Sequence, residues 1–278
     1  MANTVNQPDG SSASPLNPPA PAAASTSSWA ERYVVDWTAE DAWDWDDDPD
    51  PHDIQDAAWA HSFDANGSQG EIVEGAGLKI SPDASTASYW STSGQDCPSL
   101  YAKMTDWSGN IGIFDNVTDL QGLAVQCLIA GNVTQNSNGY GLALTGAGGF
   151  GITIERAYSS SVWASGSESG YRVTSSGGGV SLNSLNRAED GTVYELFEIV
   201  MFPGGLCVAS NRNETEFVEP LGSFVFQKQL ACNTYVGNTA SSNAWLPGEV
   251  YIQFISYNGA TNTHTATFKN LRVLSLGV

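Results

Sequence analysis

From residue 70 onward the chain repeats one device: a short run in which residues alternate about the backbone, then a turn carrying Gly, Pro or Asn. In QGLAVQCLIAG (121–131), Leu123, Val125, Cys127 and Ile129 fall on one face and Ala124, Gln126 and Leu128 on the other. In VYIQFISY (250–257), Val250, Ile252 and Phe254 oppose Tyr251, Gln253, Ile255 and Tyr257. A period of two places successive side chains on opposite sides of an extended backbone, which is the geometry of a strand. No segment shows an apolar period that would make a helix longer than a turn or two. The pattern therefore predicts an all-β chain.

The turns sort the strands into expected hairpins. GEIVEGAGLKIS (70–81) reads as two strands around Gly75 and Gly77, and GYGLALTGAGGFGITIE (139–155) as two around a glycine-rich turn. TVYELFEIVMFPGGLCVAS (192–210) turns at Pro203-Gly204. The last, 248–277, is expected to turn at Asn258-Gly259. In its second half the apolar phase slips between Phe268 and Leu271, which predicts a bulge near Asn270.

The first 57 residues are of another kind. Residues 1–28 form a Pro-, Ala- and Ser-rich stretch that cannot build a core and is expected to be an extended arm. Residues 31–56 hold eleven of the chain's thirty acidic residues against one base, Arg32. Three readings of this strip stay open. It is a solvated linker; or a docking strip, with Trp37, Trp43 and Trp45 as anchors and Asp44, Asp46, Asp48 and Asp50 as its charges; or a metal site. Pro49 and Pro51 argue against a paired central strand there. The expected division is an arm over 1–28, a strip over 29–57 and a sandwich over 58–278.

Charge narrows the partners. With ten Lys plus Arg and a net charge of −20, the chain cannot neutralise phosphates broadly, so nucleic acid and anionic membrane surfaces are not expected partners. No apolar window is long enough for a membrane-spanning helix, and the N-terminus lacks the basic and apolar regions of a secretory signal. Cys97, Cys127, Cys207 and Cys232 stand far apart, which disfavours zinc and leaves either two disulfides of three connectivities or buried thiols.

The late alternating strands, with YELFEIVMFPGG and the closing ATFKNLRVLSLG, resemble the concanavalin A-like jelly roll, also seen in laminin G-like and lectin-like domains. AWAHSFDANGSQGEIVEGAGLKI (58–80) is similar to the opening of such domains in virion proteins of tailed bacteriophages. The resemblance implies two facing antiparallel sheets. Its members include lectins, glycoside hydrolases, polysaccharide lyases and structural modules, so it does not choose a function.

Glycoside hydrolysis needs two carboxylates about 5–10 Å apart. Glu195 and Glu198, three residues apart on one strand, point to opposite faces, and Glu155 stands alone. A lyase would want Arg156, Tyr158 and His264 to meet. Calcium, which the resemblance makes a candidate, would draw on Asp64, Asn66 and Glu71. Trp90, Trp107, Trp163 and Trp245 are candidates to stack on sugar rings. The expectation is a non-enzymatic virion structural protein without a cofactor, a capsid decoration (cement) protein or a fibre-like appendage, present in many copies and attached to other virion proteins such as capsid subunits through its arm and acidic strip. A glycan-binding adhesin module is the first alternative and a glycan-cleaving enzyme the second.

Overall fold

The computed structural model describes residues 29–45, 47, 50–63, 69–83, 99–104, 112–114, 120–133, 138–146, 151–158, 169–175, 193–202, 206–212, 214–220, 234–238, 250–258 and 264–276. Among them are sixteen strands and no helix. The strands are β1 (Trp29–Asp36), β2 (Trp43–Asp44), β3 (His52–Ile54), β4 (Ala57–His61), β5 (Gln69–Val73), β6 (Gly77–Ser81), β7 (Ser99–Lys103) and β8 (Gly122–Gly131). After them come β9 (Asn138–Gly146), β10 (Gly151–Tyr158), β11 (Ser169–Ser175), β12 (Glu195–Phe202), β13 (Leu206–Arg212), β14 (Thr234–Asn238), β15 (Val250–Asn258) and β16 (Ala266–Leu276). They make two antiparallel sheets. Sheet A runs β14-β13-β12-β8-β16-β6-β5-β2, with β1 also on β16; sheet B runs β11-β10-β9-β15-β7-β4-β3.

The alternation read from sequence is what builds the core. Leu123, Val125, Cys127 and Ile129 of β8 and Phe197, Ile199 and Met201 of β12 point inward from sheet A. Leu142, Leu144, Ile152, Ile154, Ile252 and Phe254 answer them from sheet B. Cys127 is a buried free thiol, its pKa driven up by desolvation, so it does not bridge to Cys97.

Three expected hairpins form: β5–β6, β9–β10 and β12–β13. Between β5 and β6, Gly75 and Gly77 take φ of 73° and 104°, and a Cβ on Gly77 would strike the carbonyl of Phe268. The fourth expected hairpin does not form. β15 lies between β9 and β7 in sheet B, whereas β16 lies on β8 in sheet A. Phe254 and Phe268, 4.7 Å apart between ring centroids, meet across the core with their planes tilted by 35°. Alternation told which side of each strand was apolar; it could not tell neighbour in the sheet from partner across it.

The bulge is where the phase slip puts it, between Phe268 and Asn270. It marks a change of neighbour. Up to Phe268, β16 pairs with β6; from Asn270 it pairs with β1. The carbonyl of the looped-out Lys269 accepts from the Trp37 N–H at 2.9 Å.

That junction corrects the expected division of the chain. The strip at 29–57 is neither linker nor tether; it supplies strands to both sheets. β1 extends sheet A along β16, β2 pairs with β5, and β3 pairs with β4. The chain crosses from the margin of sheet A to the margin of sheet B between β2 and β3, and Trp45 fills the gap with no exposed surface. Tyr33 stitches the layers: its hydroxyl donates to the Ile54 carbonyl at 2.7 Å and accepts from the Trp59 indole at 3.0 Å. The arm at 1–28 lies outside the described residues.

Candidate functional site

The acidic strip separates its residues by kind. Trp37 and Trp45 are fully buried, and Trp43 is half-buried against the core. Trp37 packs edge-on to Trp59 at 5.0 Å and to Phe254 at 5.9 Å. Trp43 stacks on His52 at 3.8 Å, tying β2 to β3 across the side of the sandwich. The expected role of Trp37 and Trp45 as anchors for an outside partner is thereby overturned: the hydrophobic effect has spent these rings on the chain's own core. The carboxylates go the other way. Asp44, Asp47, Asp50, Asp53 and Asp56 are exposed, while Asp46 and Asp48 lie outside the described residues. Charged side chains on short marginal strands also discourage edge-to-edge pairing with another sheet.

Of the calcium candidates, Asp64 and Asn66 lie outside the described residues. Glu71 is exposed on β5, directly between Asp44 of β2 and Lys79 of β6. Lys79 offsets the like charges of Asp44 and Glu71. Among the described residues, no three His, Cys, Asp or Glu side chains form a metal-binding group.

The carboxylates weighed for hydrolysis occupy three different layers. Glu195 shares the inward face of β12 with Phe197 and Ile199, and its Oε2 is 3.4 Å from Nη1 of Arg156, which points inward from β10. Glu198 faces outward from sheet A, where Gln126 donates to it. Glu155 faces outward from sheet B, where its Oε2 accepts from the Tyr257 hydroxyl at 2.9 Å. Facing sheets pack about 10 Å apart, so Glu155 and Glu198, with both sheets between them, cannot flank one bond. The lyase trio is not assembled by these contacts either. Arg156 holds Glu195, whereas His264 sits against Ser256 at 3.2 Å, with Tyr140 between them in the register of β10, β9 and β15. The side chain of Tyr158 lies outside the described residues.

His264 is buried at that end of the core, and desolvation pushes its pKa from 6.5 down to about 4, against the opposing effect of a hydrogen bond with the Gly139 backbone. The folded state thus disfavours the proton that the unfolded chain accepts. Stability is full above pH 6.5, falls as the pH drops toward 4 and levels off below it. The span corresponds to about 3 kcal/mol. In urea titrations at pH 7 and pH 4.5, the wild type is expected to lose stability that His264→Asn does not lose. Equal losses in both proteins would remove His264 as the cause.

Each sheet also has an outer face. On sheet A that face is covered around β8, β12 and β16. Ala124, Val200 and Leu274 are covered by Trp29, and the segment 214–220 lies over Gln126 and Glu198. Arg272 clamps this segment: Nε donates to Gln126 at 2.7 Å, Nη2 donates to the Val218 carbonyl, and the guanidinium lies over Phe217 at 4.7 Å.

Sheet B differs. Around β9 and β10 its outer face is buried, with Tyr257 lying over Gly139 to reach Glu155. Toward β7, β4 and β3 it opens. Tyr101 and Tyr251 meet edge to face at 5.8 Å and are half-exposed. Tyr101 stands in register with Gln253 on one side and Ala60 on the other, and Tyr251 with Lys103. Ala58 and Ala60, both half-exposed, make a low floor beside the rings, and Asp53 borders it from β3. The result is an aromatic wall over a shallow shelf, edged by amine and carboxylate, with the amide of Gln253 buried beside the rings. The alternation set Tyr251 on the face opposite Val250, Ile252 and Phe254 but could not show the shelf, because its other half depends on the pairing of β7 with β15. Trp90, Trp107, Trp163 and Trp245, the stacking candidates it chose, lie outside the described residues.

No protein-family model and no curated protein sequence matches the chain. Solved structures do. The chain is similar to the CBM2 module of the evolved Dit of Lactobacillus casei BL23 phage J-1, with a TM-score of 0.50 and 11% identity over 90% of this chain and 97% of that one. It is similar to a GH43 protein from Bacillus licheniformis, with a TM-score of 0.51 and 9% identity over 89% of this chain but 40% of that one. A xylan β-1,4-xylosidase from Bacillus halodurans C-125 gives a TM-score of 0.50 and 8% identity, over 86% of this chain and 38% of that one. The chain thus spans about two fifths of each of the two Bacillus proteins. At these identities the likeness is one of fold, and it agrees with the two antiparallel sheets and the inward faces described above: the chain has the concanavalin A-like jelly-roll fold.

Proposed function

We propose that this chain is a non-catalytic glycan-binding module carried on a bacteriophage particle. The shelf on sheet B carries the reading. A sugar ring has an apolar face of C–H groups and a rim of hydroxyls. The exposed face of one tyrosine of the Tyr101–Tyr251 pair suits the first, and the half-exposed Lys103 and the exposed Asp53 suit the second. Around β8, β12 and β16 the outer face of sheet A is taken up by Trp29 and the segment 214–220. The likeness to a phage Dit module, which covers nearly the whole of that module, supports the particle context. The leader, residues 1–28, then joins the module to other virion proteins.

Catalysis is the rival reading, and the separation of Glu155, Glu195 and Glu198 weighs against it. A capsid decoration role needs no shelf at all. Both are tested together with glycan binding, by titrating the protein on a glycan array and then against its best neutral oligosaccharide in solution. Tyr251→Ala is expected to weaken binding about tenfold, the loss of one aromatic platform, and the bound oligosaccharide is expected to stay uncleaved over a day. An array without a binder, or a binder indifferent to Tyr251→Ala, removes the glycan reading in favour of decoration. Cleavage removes the non-catalytic one.

A further inference from the structure

We infer that the acidic margin beside the shelf is a selectivity filter: it admits neutral glycans and turns away acidic ones. The inference rests on the glycan reading of the shelf and concerns what the shelf accepts. β3 is the outermost strand of sheet B and pairs with β4, the strand that supplies the alanine floor. Asp53 is in register with Ala58, one strand spacing of about 4.8 Å from the floor itself. Asp50 and Asp56, both exposed, stand just beyond the two ends of β3.

The strand that carries Asp53 is held in place. Ile54 is buried in the core, its carbonyl accepts from Tyr33, and His52 is stacked on Trp43. A ligand on the shelf therefore meets fixed negative charge along one side, where a flexible acidic tail would swing away. Lys103, the base on the shelf, is already engaged within the chain. A neutral sugar feels little of this. A sugar bearing a carboxylate is repelled by each charge over a distance set by the ionic strength, about 20 Å at 20 mM salt and about 4 Å at 0.5 M.

The test uses a matched pair: the strongest neutral binder from the array, and the same oligosaccharide oxidised at one C6 to the uronate. The uronate is expected to bind about tenfold more weakly at ~20 mM salt and within about threefold at ~0.5 M, while the neutral partner is unaffected by salt. Replacing Asp50, Asp53 and Asp56 by asparagine together should abolish the low-salt difference. The control removes the same number of charges from the far side of the molecule, through Glu214→Gln, Glu216→Gln and Glu219→Gln, and should leave the difference in place. Equal binding of the two sugars at low salt overturns the filter while leaving the shelf intact. So does equal relief by both triple variants, which would assign the repulsion to the net charge of the whole chain. Absence of any Tyr251-dependent binder overturns the shelf, and the filter with it.

Discussion

Trp45→Ala is expected to destabilise the whole sandwich by about 3–5 kcal/mol, the cost of emptying a large buried aromatic site. The ring has no exposed surface and closes the side of the core where the chain passes from sheet A to sheet B. Its backbone N–H is bonded to the Gly70 carbonyl at 3.1 Å, so the segment cannot simply fold over to fill the space. Trp37→Ala should behave alike, since its ring touches Trp59 and Phe254. The acids between the tryptophans should not. Asp44→Asn and Asp50→Asn sit on the surface and should shift stability by no more than about 0.5 kcal/mol. Urea unfolding followed by tryptophan fluorescence separates the two classes. A Trp45→Ala protein with an unchanged midpoint would mean that the strip is a detachable leader after all.

That contrast shows how much of the strip could be read beforehand. The period of two was present in it: tryptophans at 37, 43 and 45 against aspartates at 36, 44 and 46. Composition hid it. Eleven acids and two prolines suggest solvent, and the described acids are exposed apart from the half-buried Glu40, on a stretch where β2 and β3 are only two and three residues long. A run can be acidic and still belong to the core when every second residue is large and apolar. The opposite end of the chain was read more fully. The slip between Phe268 and Leu271 located the bulge because a single unpaired residue shifts every later side chain to the other face. What it could not show was the cause, the handover of β16 from β6 to β1. Pairings between distant segments are not written in local periodicity, and this is why β15 and β16 were expected to be neighbours.

The same limit governs the candidate site. The spacing of Glu195 and Glu198 was enough to send them to opposite faces, and the fold agrees, with one carboxylate inside the sandwich and the other outside it. The Tyr101–Tyr251 shelf needed the register of two strands some 150 positions apart in sequence. A site assembled across strands becomes visible only once the sheet order is known.

Arg156→Ala is expected to be nearly as costly as loss of a core tryptophan, at about 3–5 kcal/mol, for a different reason. Arg156 and Glu195 face each other from opposite sheets, both buried, at 3.4 Å. Removing the cation leaves a largely buried carboxylate without this counter-charge. Glu195→Leu alone strands the guanidinium in the same way. The double variant, Arg156→Met with Glu195→Leu, removes both charges and keeps the volume, and it should recover most of the stability either single change loses. A double-mutant cycle in urea should therefore give a coupling of at least ~2 kcal/mol. A coupling below ~0.5 kcal/mol would show that the two groups do not act as a pair. The cycle also bears on function. The pair lies between the sheets and the shelf lies outside sheet B, so the double variant should retain glycan binding while lacking Glu195. A carboxylate that can be deleted in this way, with binding intact and no turnover lost, belongs to the fold: its charge holds the two layers together at one end and leaves the chemistry of recognition to the tyrosines on the outer face.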